Sequence, residues 1–243
     1  MPASNDRPTP NVRRDLEARL RRAAEGILSS IRTWHMPAAA ADRRDLTLQA
    51  AFIPPCLPMT APAPPSGDLW LHEIKLDGIR IIARNDGAVV RLYSRSGDDL
   101  TQRYPLIVEA MARLPGCTID GEAIALDDRG VASFHLLRHR LRDDRVRLHA
   151  FDLIELAGRD RRRDALADRK ADLSRLIADA GPGVLAVEWV DGGECEGPAL
   201  FEEACSRGHE GIVSKRKDSR YMAGRSPYWL KMENPAREAR EQL

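Results

Sequence analysis

A lysine set among acidic residues is the most reactive position that the sequence offers. Lys75 lies in the segment Glu73-Ile74-Lys75-Leu76-Asp77-Gly78-Ile79-Arg80, in which a glycine and an arginine follow it closely. A free lysine has a pKa of about 10.4 and is a poor nucleophile at neutral pH. Burial and neighbouring cations disfavour the ammonium form and can make a lysine nucleophilic. The alternative is a surface hairpin with a charged loop, and this segment alone does not decide between the two.

The choice of basic residues bears on that question. The chain has 38 lysines and arginines, of which five are lysines and the other 33 are arginines. The five lysines are Lys75, Lys170, Lys215, Lys217 and Lys231. Lysine can lose its proton and attack an electrophile, whereas arginine stays protonated. Either chance and a GC-rich genome explain the imbalance, or some of these positions require an amine.

The hydrophobic pattern predicts the elements that must position these residues. Strands are predicted at 69–74, 79–84, 88–94, 117–126, 146–156, 211–215 and 228–232, and helices at 101–114, 168–180 and 198–207. Because strands outnumber βαβ units, we expect an α+β fold with mainly antiparallel sheets. Residues 1–49 are predicted to be an Arg-rich extension with an amphipathic helix at 13–33, and residues 50–243 to be the main domain.

Composition narrows the class of protein. The net charge is +1 and 43% of the residues are hydrophobic, which is typical of a soluble protein and does not by itself indicate a nucleic-acid partner. The sequence contains no apolar run of the roughly 18 residues that a membrane span needs, and no secretory signal. The four cysteines form no CxxC pair, so we expect free thiols in a cytosolic protein.

Further motifs follow Lys75 in order along the chain. They are Lys75-Leu76-Asp77-Gly78-Ile79-Arg80, Ser94-Arg95-Ser96-Gly97, Asp120-Gly121-Glu122, Phe151-Asp152-Leu153, Glu210-Gly211-Ile212-Val213-Ser214-Lys215 and Trp229-Leu230-Lys231. In this order they resemble the motifs of the covalent nucleotidyltransferases, which include DNA ligases, RNA ligases and mRNA capping enzymes. From about residue 50 to residue 236 the chain is most similar to the ligase module of bacterial end-joining ATP-dependent DNA ligases. The resemblance implies an ATP-grasp-like nucleotidyltransferase core.

The same resemblance implies how ATP would bind. Lys75 would attack the α-phosphorus and carry AMP as a lysyl adenylate. Glu73 and Ile74 would border adenine, Phe151 would stack on it and Glu122 would accept a hydrogen bond from the ribose.

Charged residues would surround the phosphates. The resemblance puts Arg80 and Arg95 near the sugar and phosphates, and Lys215, Arg225 and Lys231 where they would offset the charge of the α-phosphate. Glu210 and Glu122 would hold Mg²⁺, which needs only one or two carboxylates besides phosphates and waters. From pattern alone, however, the favoured interpretation of Phe151 is a core aromatic residue on a strand.

Two departures from the family pattern matter. Glu233 stands where the last motif usually has a second lysine, and an acid there would repel phosphates unless it turns outward or binds metal. We also expect no C-terminal OB-fold after Lys231, so self-adenylation could be slow or could need a protein partner that supplies this surface.

The sequence therefore predicts an ATP-dependent DNA ligase-like enzyme that uses Mg²⁺ and seals nicks or breaks in duplex DNA during repair. It is predicted to act in the bacterial cytosol, in association with the nucleoid. Two alternatives stay open. One is an accessory nick-binding module with weak adenylation, and the other is an RNA ligase or capping-type nucleotidyltransferase with the same Lys75 chemistry.

Overall fold

The computed structural model describes residues 52–127, 132–193 and 195–237. The predicted N-terminal extension, with its helix at 13–33, lies outside this range. Eleven strands are described: β1 (Cys56–Thr60), β2 (Trp70–Ile74), β3 (Ile79–Asn85), β4 (Val90–Ser94), β5 (Cys117–Ile124), β6 (Arg147–Leu156), β7 (Arg159–Asp160), β8 (Val184–Ala186), β9 (Trp189–Asp191), β10 (Gly211–Arg216) and β11 (Gly224–Glu233). The described α-helices are α1 (Pro105–Ala112), α2 (Phe134–Arg138), α3 (Leu166–Ile177) and α4 (Glu196–Ser206).

The strands form two sheets. The first has the order β1-β11-β10-β2-β9, and the second has the order β4-β3-β5-β6-β7, with β8 also paired to β6. Only β1–β11 and β6–β8 are parallel among the described strand pairs, so the prediction of an α+β fold with mainly antiparallel sheets is confirmed. Within the described residues, no helix has the length and apolar character needed to cross a membrane.

Alternation along β3 shows how the layers pack. Ile81 belongs to the core on the outer side of the second sheet, whereas Ile82 belongs to the core between the two sheets. The outer core includes Ile107 and Met111 of α1. Because successive side chains of a strand point to opposite faces, the Ile81-Ile82 pair serves both layers. Helix α4 covers the other face of the first sheet through Leu200.

Two glycines let strands approach each other where the Lys75 segment turns. A Cβ at Gly78 would collide with the carbonyl oxygen of Ala123. Gly211 has a φ of 135°, and a Cβ there would collide with the carbonyl oxygen of Met232. The Gly211 carbonyl accepts a 2.9 Å hydrogen bond from the Lys75 N–H. The backbone around Lys75 is therefore held at a spacing that only glycine permits at these two positions.

A buried ion pair joins α3 to the second sheet. Arg169 donates to both carboxylate oxygens of Asp152, at 2.7 and 2.8 Å, and both side chains are fully buried. The remaining nitrogen, Nη1 of Arg169, donates to the carbonyl oxygens of Asp164 and Ser219, at 2.6 and 2.9 Å. The hydrogen bonds of this one guanidinium thus connect α3 with β6 and with the loop after β10.

Replacing Arg169 by methionine is expected to lower the free energy of unfolding by about 3–5 kcal/mol, because Asp152 would stay buried without its counter-charge. Urea unfolding at pH 7 measures the change. Arg175→Met, on the exposed side of the same helix, is the matched control and should alter stability by less than about 0.5 kcal/mol. A loss below 1 kcal/mol for Arg169→Met would contradict the argument.

Candidate active site

A cavity of about 640 Å³ lies between the two sheets. Its walls come from the segment around Lys75 and from β5, β6, β10 and β11, with contributions from α2. The lining residues are Pro58, Glu73, Ile74, Lys75, Leu76, Asp77, Gly78, Arg80, Glu122, Phe134, Arg138, Phe151, Val187, Glu210, Val213, Lys215 and Trp229. Most residues that the motifs singled out therefore meet in one cavity, although they are spread over more than a hundred positions of the chain.

Lys75 directly follows β2, and its amine faces carboxylates. Lys75 Nζ lies 2.5 Å from Glu210 Oε2 and 4.0 Å from Glu233 Oε1. The side chain of Lys75 is 19% exposed, so the amine is partly shielded but reachable from the cavity. The two carboxylates are positioned to balance its charge, and Glu210 is close enough to accept its proton.

Glu73 sits inside a buried cluster with two lysines. Its carboxylate lies 2.5 Å from both Lys170 Nζ and Lys215 Nζ, and none of the three side chains is more than 4% exposed. Burial opposes the charged form of Glu73, but the two ammonium groups outweigh it and lower the pKa of the carboxyl group. The sequence predicted that Glu73 borders adenine. Glu73 does line the cavity, but both of its oxygens are engaged by lysines.

Lys215 is held against two aromatic rings. Its Nζ lies 4.1 Å from the centroid of Phe151 and 4.2 Å from that of Trp229. Burial lowers the pKa of Lys215 to about 8, and Glu73 limits this shift. The Arg80 guanidinium also lies over Phe151, at 4.4 Å, and Phe151 is only 7% exposed. Little of the Phe151 ring is therefore available for the predicted stacking on a base.

Arg80 is oriented by the carboxylate of Asp120, which was not among the predicted site residues. Its Nε and Nη2 donate to the two oxygens of Asp120, at 2.5 and 2.8 Å, and Nη2 also donates to the Cys56 carbonyl oxygen at 3.0 Å. The Tyr221 hydroxyl donates to Asp120 at 2.6 Å. Burial raises the pKa of Asp120, and Arg80 opposes this shift. The Asp120–Arg80 pair fixes one edge of the guanidinium against the floor of the cavity.

Glu122 and Glu210 are the predicted metal ligands, and both line the cavity. Burial raises the pKa of Glu122 to about 7, with Arg80 and Lys75 opposing and Asp120 and Glu210 adding to the shift. Among the described residues, no group of three or more His, Cys, Asp or Glu side chains is arranged to hold a metal ion. Two carboxylates nevertheless suit Mg²⁺, because this ion usually takes its remaining ligands from phosphates and waters. The donor set therefore fits the predicted ion.

Three predicted binding residues lie elsewhere in the described structure. Arg95 is exposed in the loop after β4, and Arg225 is exposed near the start of β11, opposite Leu57 of β1. Lys231 is half-buried and donates to Glu233 Oε1 at 2.7 Å. None of the three is among the cavity-lining residues. Their predicted contacts with phosphate remain predictions.

Sequence reasoning missed Lys170 and the true partners of Arg80 and Glu73. One signal was present, because Lys170 is one of only five lysines in an arginine-rich chain. Its position on α3, outside every motif, gave no indication that it would reach Glu73 of β2. Glu233 was expected to disturb phosphate binding, and the structure shows that it contacts both Lys75 and Lys231.

Glu122→Gln is expected to change how stability depends on pH. Folded Glu122 holds a proton up to about pH 7, whereas in the unfolded chain it releases the proton near its ordinary pKa of 4.5. Between pH 4.5 and about pH 7 the folded state thus binds more protons than the unfolded state. Ionisation of Glu122 therefore lowers the stability of wild type as the pH rises through this range. The variant cannot ionise and should gain stability relative to wild type, by at most about 3 kcal/mol at pH 8.

Urea unfolding at intervals between pH 4.5 and pH 8 measures this difference. Glu109→Gln, which alters an exposed glutamate on α1, serves as the control and should give a curve parallel to that of wild type. Parallel curves for Glu122→Gln and wild type would show that the folded protein does not hold a proton on Glu122.

Comparison with known proteins agrees with the geometry. The family model described as the ATP dependent DNA ligase domain matches residues 64–233. The chain is 41% identical over 167 residues to the multifunctional non-homologous end joining DNA repair protein LigD of Mycobacterium tuberculosis, covering 67% of this chain and 21% of that protein. It is 36% identical over 255 residues to a probable DNA ligase of Streptomyces coelicolor, covering 95% of this chain and 48% of that protein.

A solved structure is similar as well. The ligase domain of M. tuberculosis LigD superimposes with a TM-score of 0.65 and 35% identity, covering 74% of this chain and 59% of the other. The chain spans about half or less of the length of the two relatives compared above. The family match covers more than half of the chain and includes every predicted site residue, from Glu73 to Lys231. This chain therefore belongs to the ATP-dependent DNA ligase domain family.

Proposed function

We propose that the chain is a DNA ligase module that takes AMP from ATP onto Lys75 and uses it to seal nicks or breaks in duplex DNA. The observation that carries the proposal is the meeting of Lys75, Glu210, Glu122 and Lys215 in one cavity of suitable size for a nucleotide. Relatives named as DNA ligases and as a non-homologous end joining DNA repair protein support DNA as the substrate and repair as the setting.

The first step requires Lys75 Nζ to be uncharged. Glu210 Oε2, 2.5 Å away, is placed to take the proton. Nζ then bonds to the α-phosphorus of ATP, the bond from that phosphorus to the bridging oxygen breaks, and pyrophosphate leaves. In the second step a 5′-phosphate oxygen of DNA displaces Lys75 from the AMP phosphorus. In the third, the 3′-hydroxyl attacks the DNA phosphate and AMP departs.

The neighbouring residues stabilise charge and hold the nucleotide. Lys215, which Glu73 holds in place, would lie beside the α-phosphate. Glu122 would accept a hydrogen bond from a ribose hydroxyl. Glu210 and Glu122 would hold Mg²⁺, which when bound neutralises phosphate charge. Arg95 would lie near the sugar and phosphates, and Arg225 and Lys231 would offset the charge of the α-phosphate from outside the cavity lining.

The remaining assignments extend the same proposal. Residues 50–243 form the adenylation module, and residues 1–49 form an Arg-rich extension. The module works in the bacterial cytosol, close to the nucleoid, and a protein partner can supply an OB-fold or end-binding surface. One observation favours the second candidate, an accessory nick-binding module with weak adenylation. Glu233 neutralises Lys231, which removes positive charge from the place where phosphates would lie.

Covalent labelling with α-³²P-ATP and Mg²⁺ tests the proposal. Wild type should carry an acid-labile label after denaturing electrophoresis. Lys75→Arg should carry none, because its guanidinium keeps its proton and cannot attack phosphorus. Lys217→Arg is the matched control and should label normally, since Lys217 pairs with Asp191 away from the cavity. An unlabelled wild type that still binds nicked DNA would favour the accessory module, and preferential labelling by GTP would favour a capping-type enzyme.

Glu233→Gln should tighten ATP binding. Removing this charge frees Lys231 and takes a negative group away from Lys75, so the nucleotide phosphates meet less repulsion. A partly exposed ion pair is worth roughly 1 kcal/mol, and that corresponds to about a fivefold lower ATP concentration for half-maximal labelling. Glu203→Gln, on α4, is the control. A higher ATP requirement in Glu233→Gln would indicate that Glu233 assists nucleotide binding instead.

A further inference from the structure

A second concave site lies away from the nucleotide cavity. It has a volume of about 690 Å³ and shares no lining residue with that cavity in the described structure. We call it the arginine groove and define it by Arg162, Arg163, Arg216, Arg220 and Tyr228, which all line it. None of these residues belongs to the chemistry proposed for Lys75.

Strand geometry explains why the groove and the cavity are separate. Lys215 and Trp229 face the cavity and pair across β10 and β11. Their neighbours Arg216 and Tyr228 point the other way, because successive side chains of a strand alternate. Arg216 also lies at the end of β10 opposite to Gly211, about 17 Å along the strand from the backbone of Lys75.

The charge of the groove is positive and partly uncompensated. Arg162 pairs with Asp160 at 2.8 Å, and Arg216 pairs with Asp218 at 2.6 Å. Arg163 and Arg220 are exposed, and neither is held in an ion pair by a residue of the described ranges. Four guanidinium groups against the two carboxylates leave the lining with a charge of +2. A phosphodiester backbone matches this arrangement, since guanidinium forks bind phosphate oxygens well.

An aromatic ring stands beside these arginines. Tyr228 is 41% exposed, and the Arg216 guanidinium lies 5.6 Å from its ring centroid. A ring on a basic surface offers a platform on which a base can stack, as in proteins that bind single strands. Only an unpaired base can use such a platform, so the ring favours a single strand over an intact duplex.

The floor of the groove is built before any ligand arrives. The Tyr221 N–H donates to the Arg162 carbonyl oxygen at 2.9 Å, which joins the segment after β7 to the loop after β10. The Ser219 carbonyl oxygen accepts a 2.9 Å hydrogen bond from the buried Arg169. The backbone that carries the arginines is therefore anchored, which reduces the entropy lost on binding.

We propose that the arginine groove binds a single-stranded DNA segment, with Arg163 and Arg220 on its phosphates and Tyr228 against a base. The strand would extend from the broken or nicked duplex that the proposed function places at Lys75. The inference extends that function, but its test does not depend on adenylation.

Fluorescence anisotropy with a labelled single-stranded oligonucleotide tests the groove in the full chain. The double variant Arg163→Gln/Arg220→Gln should bind at least fivefold more weakly than wild type near 0.1 M salt. The slope of log affinity against log salt should fall by about 1.4, because each single-strand phosphate contact contributes about 0.7. The control Arg113→Gln/Arg207→Gln removes two exposed arginines on other surfaces and should leave affinity and slope unchanged.

Tyr228→Leu provides an independent arm. It should weaken binding of the oligonucleotide about fivefold or more, and leave binding of an abasic strand of the same length unchanged. Unaltered urea midpoints confirm that each variant folds. Wild-type affinity and salt slope in the double variant would overturn the proposal, as would an equal or larger loss on intact duplex. If wild type fails to accept AMP, the proposed function fails, while these binding arms still decide the groove.

Discussion

The cavity depends on one buried carboxylate placed between two lysines. Glu73 belongs to β2 in the first sheet, Lys215 to the neighbouring strand β10, and Lys170 to α3, which packs on the second sheet. The two buried ammonium groups are tolerated because both contact the Glu73 carboxylate, and removing that carboxylate would leave two cations out of reach of water. The Lys170 ammonium also donates to the Phe151 carbonyl oxygen at 3.2 Å. The cluster therefore sets the distance between the sheets where the nucleotide would lie.

This arrangement also gives Lys215 and Lys75 of the cavity different degrees of freedom. Lys215 is fixed, because Glu73 and two aromatic rings surround it. Within the part of the chain that the structure describes, Lys75 is held by Glu210 and, more loosely, by Glu233, and its side chain retains some exposure. A rigid cation suits the stabilisation of a developing charge, whereas a nucleophile must exchange its partner for phosphorus. The difference in burial between the two lysines thus follows the difference in the chemistry proposed for them.

Much of the fold could be predicted because strand periodicity and turn residues are local signals. Strands β3 and β4, for example, lie where strands were predicted, at 79–84 and 88–94. The sequence analysis predicted no strand at β1, β8 or β9, because these segments are short and are stabilised by pairing with distant strands. Five residues of the ordered motifs line one cavity in the structure, namely Lys75, Glu122, Phe151, Glu210 and Lys215. The partners of Arg80 and Glu73 could not be predicted, since Asp120 and Lys170 meet them only through tertiary packing.

The pairing of β1 with β11 sets a practical limit on how short the module can be. The family match begins at residue 64, whereas β1 lies earlier and hydrogen-bonds in parallel to β11. The Cys56 carbonyl oxygen accepts a hydrogen bond from Arg80 Nη2 at 3.0 Å, and the Cys56 N–H donates to the Tyr221 hydroxyl oxygen at 3.1 Å. A recombinant fragment cut at the homology boundary would leave β11 as a bare sheet edge, open to intermolecular strand addition and aggregation. A recombinant fragment that is to avoid this aggregation must therefore begin upstream of Cys56.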